Sequence, residues 1–177
     1  MMIERIRRAL TRGHEAFPEL PEVRLRPIGV VRNGVKDTNA LAEIDVESLK
    51  SRIVLRPEYE EALLGLHAWS HLIVLFWPHL VPEEVRGSKL RLHPRDDPEN
   101  PLQGVLATRA QIRMNPILCT AVRVLGIKGT VIRVQGLDAI DGTPVLDVKP
   151  YIPRFDSVPE AVMPEWVTRG AEMGKGK

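Results

Sequence analysis

Ile117-Leu118-Cys119-Thr120-Ala121-Val122-Arg123-Val124-Leu125, then Gly126-Ile127-Lys128-Gly129, then Thr130-Val131-Ile132-Arg133-Val134-Gln135: two apolar runs are joined by a short link bracketed by glycines. This is the pattern of a β-hairpin. Working outward, Asp141-Gly142 is a second hairpin signal, because these residues tolerate positive φ. It precedes another strand-like run, Val145 to Ile152. Upstream, Val105 to Ala107, Lys89 to Leu92, Arg52 to Leu55, Ala42 to Val46 and Leu25 to Val31 also read as strands. His71-Leu72-Ile73-Val74-Leu75-Phe76-Trp77 is nearly continuous in apolar residues and predicts a strand buried on both faces. Many short strands with close turns predict a mainly β protein built on a single closed or nearly closed β-barrel.

Helix enters this expectation in two places. Ile3, Ile6 and Leu10 recur at near-helical spacing and predict a short helical arm over about residues 2–12. Pro18 and Pro21 stop it. Pro57 opens a short helix over Glu58 to Leu64, which Gly65 ends. The expected organisation is an N-terminal arm over 1–26, one barrel domain over 27–170 and a flexible tail over 171–177.

The chain has 177 residues, enough for one full core, with 44% hydrophobic and 27% charged residues. The net charge of +2 does not by itself argue for nucleic acid. Its distribution says more: from Asn100 to Gln135 there is no Asp or Glu, but Arg109, Arg113, Arg123, Lys128 and Arg133 are present. Such a stretch makes a local positive surface even in a nearly neutral chain. Cys119 is the only cysteine, so no disulfide forms within the chain, and its apolar neighbours predict buried filler. The first residues lack a signal peptide's apolar run, and no stretch is long and apolar enough to span a bilayer. The expectation is a cytoplasmic protein that does not engage a membrane.

Glycine-rich phosphate loops, G-x-S-x-G and Cys-His signatures are absent. His67 and His71 stand four apart, but the segment lacks the glutamate of H-E-x-x-H, so no metal is expected. Asp147, Lys149 and Tyr151 alternate along a strand and project from one face. An acid, an amine and a phenol in a row can bind a polar ligand and manage a proton; they equally fit a solvated face with a local ion pair. Arg109 and Arg113 precede Asn115-Pro116. Arginine suits carboxylate or phosphate because its donors form a fixed fork, and an Asn before Pro is held in an extended or turn conformation. Arg113 and Asn115 are therefore candidates for substrate binding.

These residues together resemble the TsaA/TrmO-like family of β-barrel methyltransferases. The resemblance runs through Pro27-Ile28-Gly29-Val30-Val31, Trp69-Ser70-His71-Leu72, His79-Leu80, Gly104 to Ile117, Leu137-Asp138 and the ordered run Asp141 to Tyr151. It implies S-adenosyl-L-methionine as cofactor, a homodimer, and tRNA as partner, with methylation of N6 of threonylcarbamoyl-adenosine at position 37. It implies that His79, Leu80, Arg109, Ile117, Gly136, Leu137 and Asp138 line the cofactor site. It also implies that Asp147, Lys149 and Tyr151 face the substrate as the catalytic group. The chain departs from the family's R-P-N-P-I-G, having Met114 and Leu118 in place of its first proline and its last glycine. Its first long loop lacks the family's P-R-Q segment, and an extra C-terminal domain of some bacterial members is not expected. The alternatives are methyl transfer to a small molecule or another RNA, and a non-catalytic module that binds the cofactor.

Overall fold

A computed structural model describes residues 18–168. Six antiparallel strands close into a barrel in the order β1-β2-β7-β6-β3-β8. They are β1 (Gly29–Arg32), β2 (Lys50–Leu55), β3 (His71–Phe76), β6 (Leu118–Lys128), β7 (Val131–Gln135) and β8 (Pro144–Pro150). A separate two-stranded ribbon pairs β4 (Arg91–Leu92) with β5 (Gln103–Gly104). Two short helices, α1 (Thr38–Ala42) and α2 (Pro153–Asp156), and several single 3₁₀ turns lie outside the strands, and residues 165–168 are also helical.

Alternation builds the barrel. Leu72, Val74 and Phe76 of β3, Ile132 and Val134 of β7, and Ile53 and Leu55 of β2 point inward and are buried. Val31, Val122, Leu137 and Val145 complete the interior, a closed aliphatic core with one phenylalanine. Burying each such side chain contributes about 1.5–3 kcal/mol. The β6–β7 hairpin turns through Gly129 at φ 53, and β6 bulges at Gly126, whose φ is 151. Both glycines adopt backbone conformations that a side chain would strain.

The barrel is as expected, but several elements differ. Ala42 to Val46 is not a strand. The Asp37 side chain accepts from the Ala40 N–H (2.9 Å) and starts α1, and the Asp45 side chain caps the turn Val46–Ser48. Both aspartates satisfy amide donors that the start of a helical turn leaves free. Val105 to Ala107 is a 3₁₀ turn, with the Thr108 hydroxyl donating to the Val105 carbonyl. Glu58 to Leu64 makes two 3₁₀ turns rather than one helix. β1 begins only at Gly29, beyond Pro27, which has no N–H to donate. β3 is buried on its inner face only; Ile73 and Leu75 are half-buried on the outside. Cys119 is exposed, not buried, because it sits on the outward side of β6 opposite Leu75. The predicted helix over 2–12 and the tail over 171–177 lie outside the described residues.

Candidate active site

The site is built at one rim of the barrel, where β1 leaves and β2 enters, and where β7 leaves and β8 enters. Two loops meet there and are stitched together. The Asn33 side chain donates to the Ala139 carbonyl (2.7 Å) and to the Ser51 hydroxyl (3.1 Å), and its oxygen accepts from the Val35 N–H (3.0 Å). Asp141 accepts from the Asn33 N–H (2.8 Å), the Gly34 N–H (3.1 Å) and the Arg32 guanidinium (3.1 Å). The Gly34 amide foremost, then that of Asn33, holds the Asp141 carboxyl below the ordinary carboxylate value; partial burial opposes this and Arg32 adds to it.

Under this stitched rim lies a cleft of about 320 Å³. Phe76, Val81, Ile112 and Leu118 give it an apolar floor, and Thr38 of α1 stands on its other wall. His79, Leu80 and Asp138 all line it. An arm of about 220 Å³ continues past Gln111, Leu118 and Asp138 to Arg109, Arg113, Ile117 and Cys119. Such volumes and linings are those of a small-molecule site, about 300–1,000 Å³ and mostly apolar with a few polar groups.

The polar groups differ in what they have left to offer. His79 Nδ1 is buried and has no hydrogen-bond partner among the described residues. A buried ring nitrogen left in this way costs free energy unless a ligand satisfies it. Gly142 lies against this ring: a Cβ there would come 3.6 Å from His79 Nε2. Asp138 Oδ1 accepts a hydrogen bond from the Thr120 hydroxyl. Arg109 is exposed on the arm, with no ion-pair partner among the described residues. Arg113 is turned inward instead, donating to the Thr108 carbonyl (3.0 Å), which holds the loop after β5.

The remaining predicted residues stand elsewhere. Gly136 is a hinge at φ 89 whose N–H donates to the Leu49 carbonyl (3.0 Å); Leu137 is a core residue, fully buried. They aim Asp138 into the cleft rather than line it. Asn115 is exposed, and its carbonyl accepts from the Ile117 N–H (2.8 Å) in a tight turn. Asp147 and Lys149 face outward on β8, opposite Leu75 and Ile73, and form an ion pair at 2.5 Å. The Asp147 carboxylate raises the Lys149 ammonium above its ordinary pKa, by its hydrogen bond first and its charge second. The Tyr151 ring sits edge-on to His71, centroids 6.4 Å apart. This trio lies outside the cleft, but Cys119 of the arm is in the same outer row, one strand beyond Leu75. Sequence reasoning missed Gln111, Leu118 and the α1 wall, whose residues carry no chemical signature of their own. The Asp37 cap is the one local signal that could have placed α1. Among the described residues no group of three His, Cys, Asp or Glu gathers to hold a metal, and no helix is long and apolar enough to cross a membrane.

A closed six-stranded barrel with a rim cleft of this make-up is the frame of a known class of proteins. The model of the tRNA-methyltransferase O N-terminal domain matches residues 41–157, and the chain belongs to that family. It is 43% identical over 138 residues to a probable S-adenosyl-L-methionine-binding protein of Methanothermobacter thermautotrophicus, covering 77% of this chain and 96% of that one. A protein of the same description from Archaeoglobus fulgidus is 39% identical, over 78% of this chain and 37% of that one. Among solved structures, TrmO from Pseudomonas aeruginosa superposes with a TM-score of 0.64 at 32% identity. That superposition covers 81% of this chain and 62% of TrmO, so the chain spans less than two thirds of that relative.

Proposed function

We propose that this chain binds S-adenosyl-L-methionine in the rim cleft and transfers its methyl group to N6 of threonylcarbamoyl-adenosine at position 37 of tRNA. The observation that carries the reading is the unpartnered, buried His79 Nδ1 in an apolar cleft that also presents Asp138, in a chain of this family. The donor set fits the cofactor. The apolar floor suits its adenine and methyl groups, His79 Nδ1 offers a hydrogen bond, and Asp138 suits ribose hydroxyls. When bound, the cofactor supplies an electrophilic methyl on a sulfonium. The protein's own part is chiefly alignment, which at best contributes about 7–11 kcal/mol.

In this reading Arg109 at the end of the arm belongs to the cofactor site and suits the cofactor's carboxylate. Asp147 is the candidate base for the N6 proton, with Lys149 holding the developing negative charge. A positioned base adds about 10²–10⁴-fold. Asp147 stands two strand spacings, about 10 Å, from Cys119 along one outer row, so this role requires the sulfonium methyl to face out of the arm along that row, where N6 can meet both. The homodimer and a cytoplasmic site of action belong to this reading through the family resemblance.

The test pairs calorimetry with methyl transfer. Wild type is expected to bind S-adenosyl-L-methionine and to label a tRNA pool, and His79→Ala to lose about tenfold in cofactor affinity, the effect of about one hydrogen bond. Cofactor binding without labelling of any tRNA would sink the tRNA assignment. Labelling of nucleosides or metabolites alone would favour a small-molecule methyltransferase, and binding with no turnover would favour a sensor.

A further inference from the structure

The strand register lines up arginines of which only Arg32, through Asp141, takes part in the rim of the cleft. Arg32 of β1 is the register partner of Arg52 of β2, and Arg52 is the partner of Arg133 of β7. Register partners project to the same face of a sheet. Three guanidinium groups therefore stand side by side across three neighbouring strands, about 5 Å apart at their Cβ atoms. All three residues are exposed. Arg32 is paired with Asp141; Arg52 and Arg133 have no ion-pair partner among the described residues. Lys50 joins them at the edge of a shallow hollow of about 510 Å³, in which Asp141 is the one carboxylate.

Like charges directly opposite each other on a sheet destabilise it. Asp141 offsets Arg32, but a fold that keeps Arg52 and Arg133 unpaired beside it forgoes stability unless a polyanion neutralises them. The row also has a meaningful place. Arg32 ends β1, Lys50 begins β2, and Gln135, register partner of Lys50, ends β7. This is the rim from which the loops carrying Thr38 and Asp138 rise into the cleft.

We propose that the row Arg32–Arg52–Arg133, with Lys50, is a docking track for the phosphate backbone of the RNA substrate, leading its strand toward the cleft. This rests on the tRNA reading above. Arginine is suited to phosphate by its planar fork of donors, and the contacts are to backbone rather than to base edges, so they position the RNA without reading its sequence.

The experiment uses the full chain, a tRNA pool that carries threonylcarbamoyl-adenosine, and fluorescence anisotropy at several salt concentrations, with Arg52→Ala, Arg133→Ala and the double variant. Each lost phosphate contact lowers the slope of log affinity against log salt by nearly one unit. The double variant is expected to bind tRNA about tenfold or more weakly, with a slope smaller by nearly two. Its affinity for S-adenosyl-L-methionine is expected to be unchanged. Its melting temperature should stay level or rise, since repulsion is relieved. Wild-type affinity and slope in the double variant, with wild type binding and methylating tRNA, would overturn the track and leave the function standing. Weaker binding accompanied by a lower melting temperature would mean a structural role and would also overturn it. Failure of wild type to bind any tRNA would remove the tRNA reading, and the track with it.

Discussion

Asp141 is a rim residue whose charge is held in place by the backbone. Two amide donors and Arg32 converge on one carboxylate, and the Asp141 N–H itself donates to the Val35 carbonyl (2.7 Å). Hydrogen bonds to a charged acceptor are the stronger kind, and removing the acceptor strands the donors. Asp141→Ala is therefore expected to lower stability by about 1–2 kcal/mol, discounted for an aspartate that is one third exposed. The pH dependence follows from the lowered pKa. A carboxyl that is more acidic in the folded chain stabilises it above its unfolded value of 3.8, and that contribution is lost as pH falls through the folded value. Urea unfolding of wild type and Asp141→Asn from pH 7 to pH 3 checks this. The gap between them should narrow in acid, and a gap independent of pH would refute the assignment.

At the scale of elements, close approach matters most where β1 meets β2. A Cβ on Gly29 would lie 2.6 Å from the Val54 carbonyl oxygen and 3.0 Å from the Leu55 Cα, both backbone atoms that cannot swing away. Gly29→Ala should cost about 1–3 kcal/mol by overpacking, measured as a lower urea midpoint with an unchanged slope. The elements that could be read from the sequence were those whose pattern is their cause: β2, β3, β6, β7 and β8 announce themselves by strand-like apolar runs and by the glycine and Asp-Gly turns between them. The rest follow from contacts that pattern does not encode. The Asp37 cap decides α1 against a strand, and the Thr108 hydroxyl helps close the turn at Val105. The candidate site divides in the same way. His79, Leu80, Asp138 and Arg109 are named in advance by the family resemblance and not by pattern, and Asp147 and Lys149 could be placed on a face and not on an end of the barrel. The arginine row was invisible because it depends on which residues of three strands lie abreast.

The molecule as a whole closes unevenly. β3 and β6 share six register pairs, whereas β1 and β8 share two, Gly29 with Val145 and Val30 with Pro144. Pro144 has no amide to contribute, and the join beyond these pairs is carried by Ile28 N–H to Val145 (2.8 Å), Val31 N–H to Thr143 (2.9 Å), Gly142 N–H to Val31 (2.9 Å) and the Asp141 stitch. Here the weld has the shortest strand ladder of the cylinder and leans on loop contacts instead, and the loop bearing Asp138 and Thr143 is attached to it. Local opening free energies vary widely within one protein, and this weld should part first. Deuterium uptake at the amides of Ile28 and Val31 is expected to outrun that at Leu72 and Val74; equal rates would count against it. A molecule lodged beneath the loop then acts as a clasp on both sides of the join. Occupancy of the cleft would be legible as slowed isotope exchange in a strand that the occupant never touches.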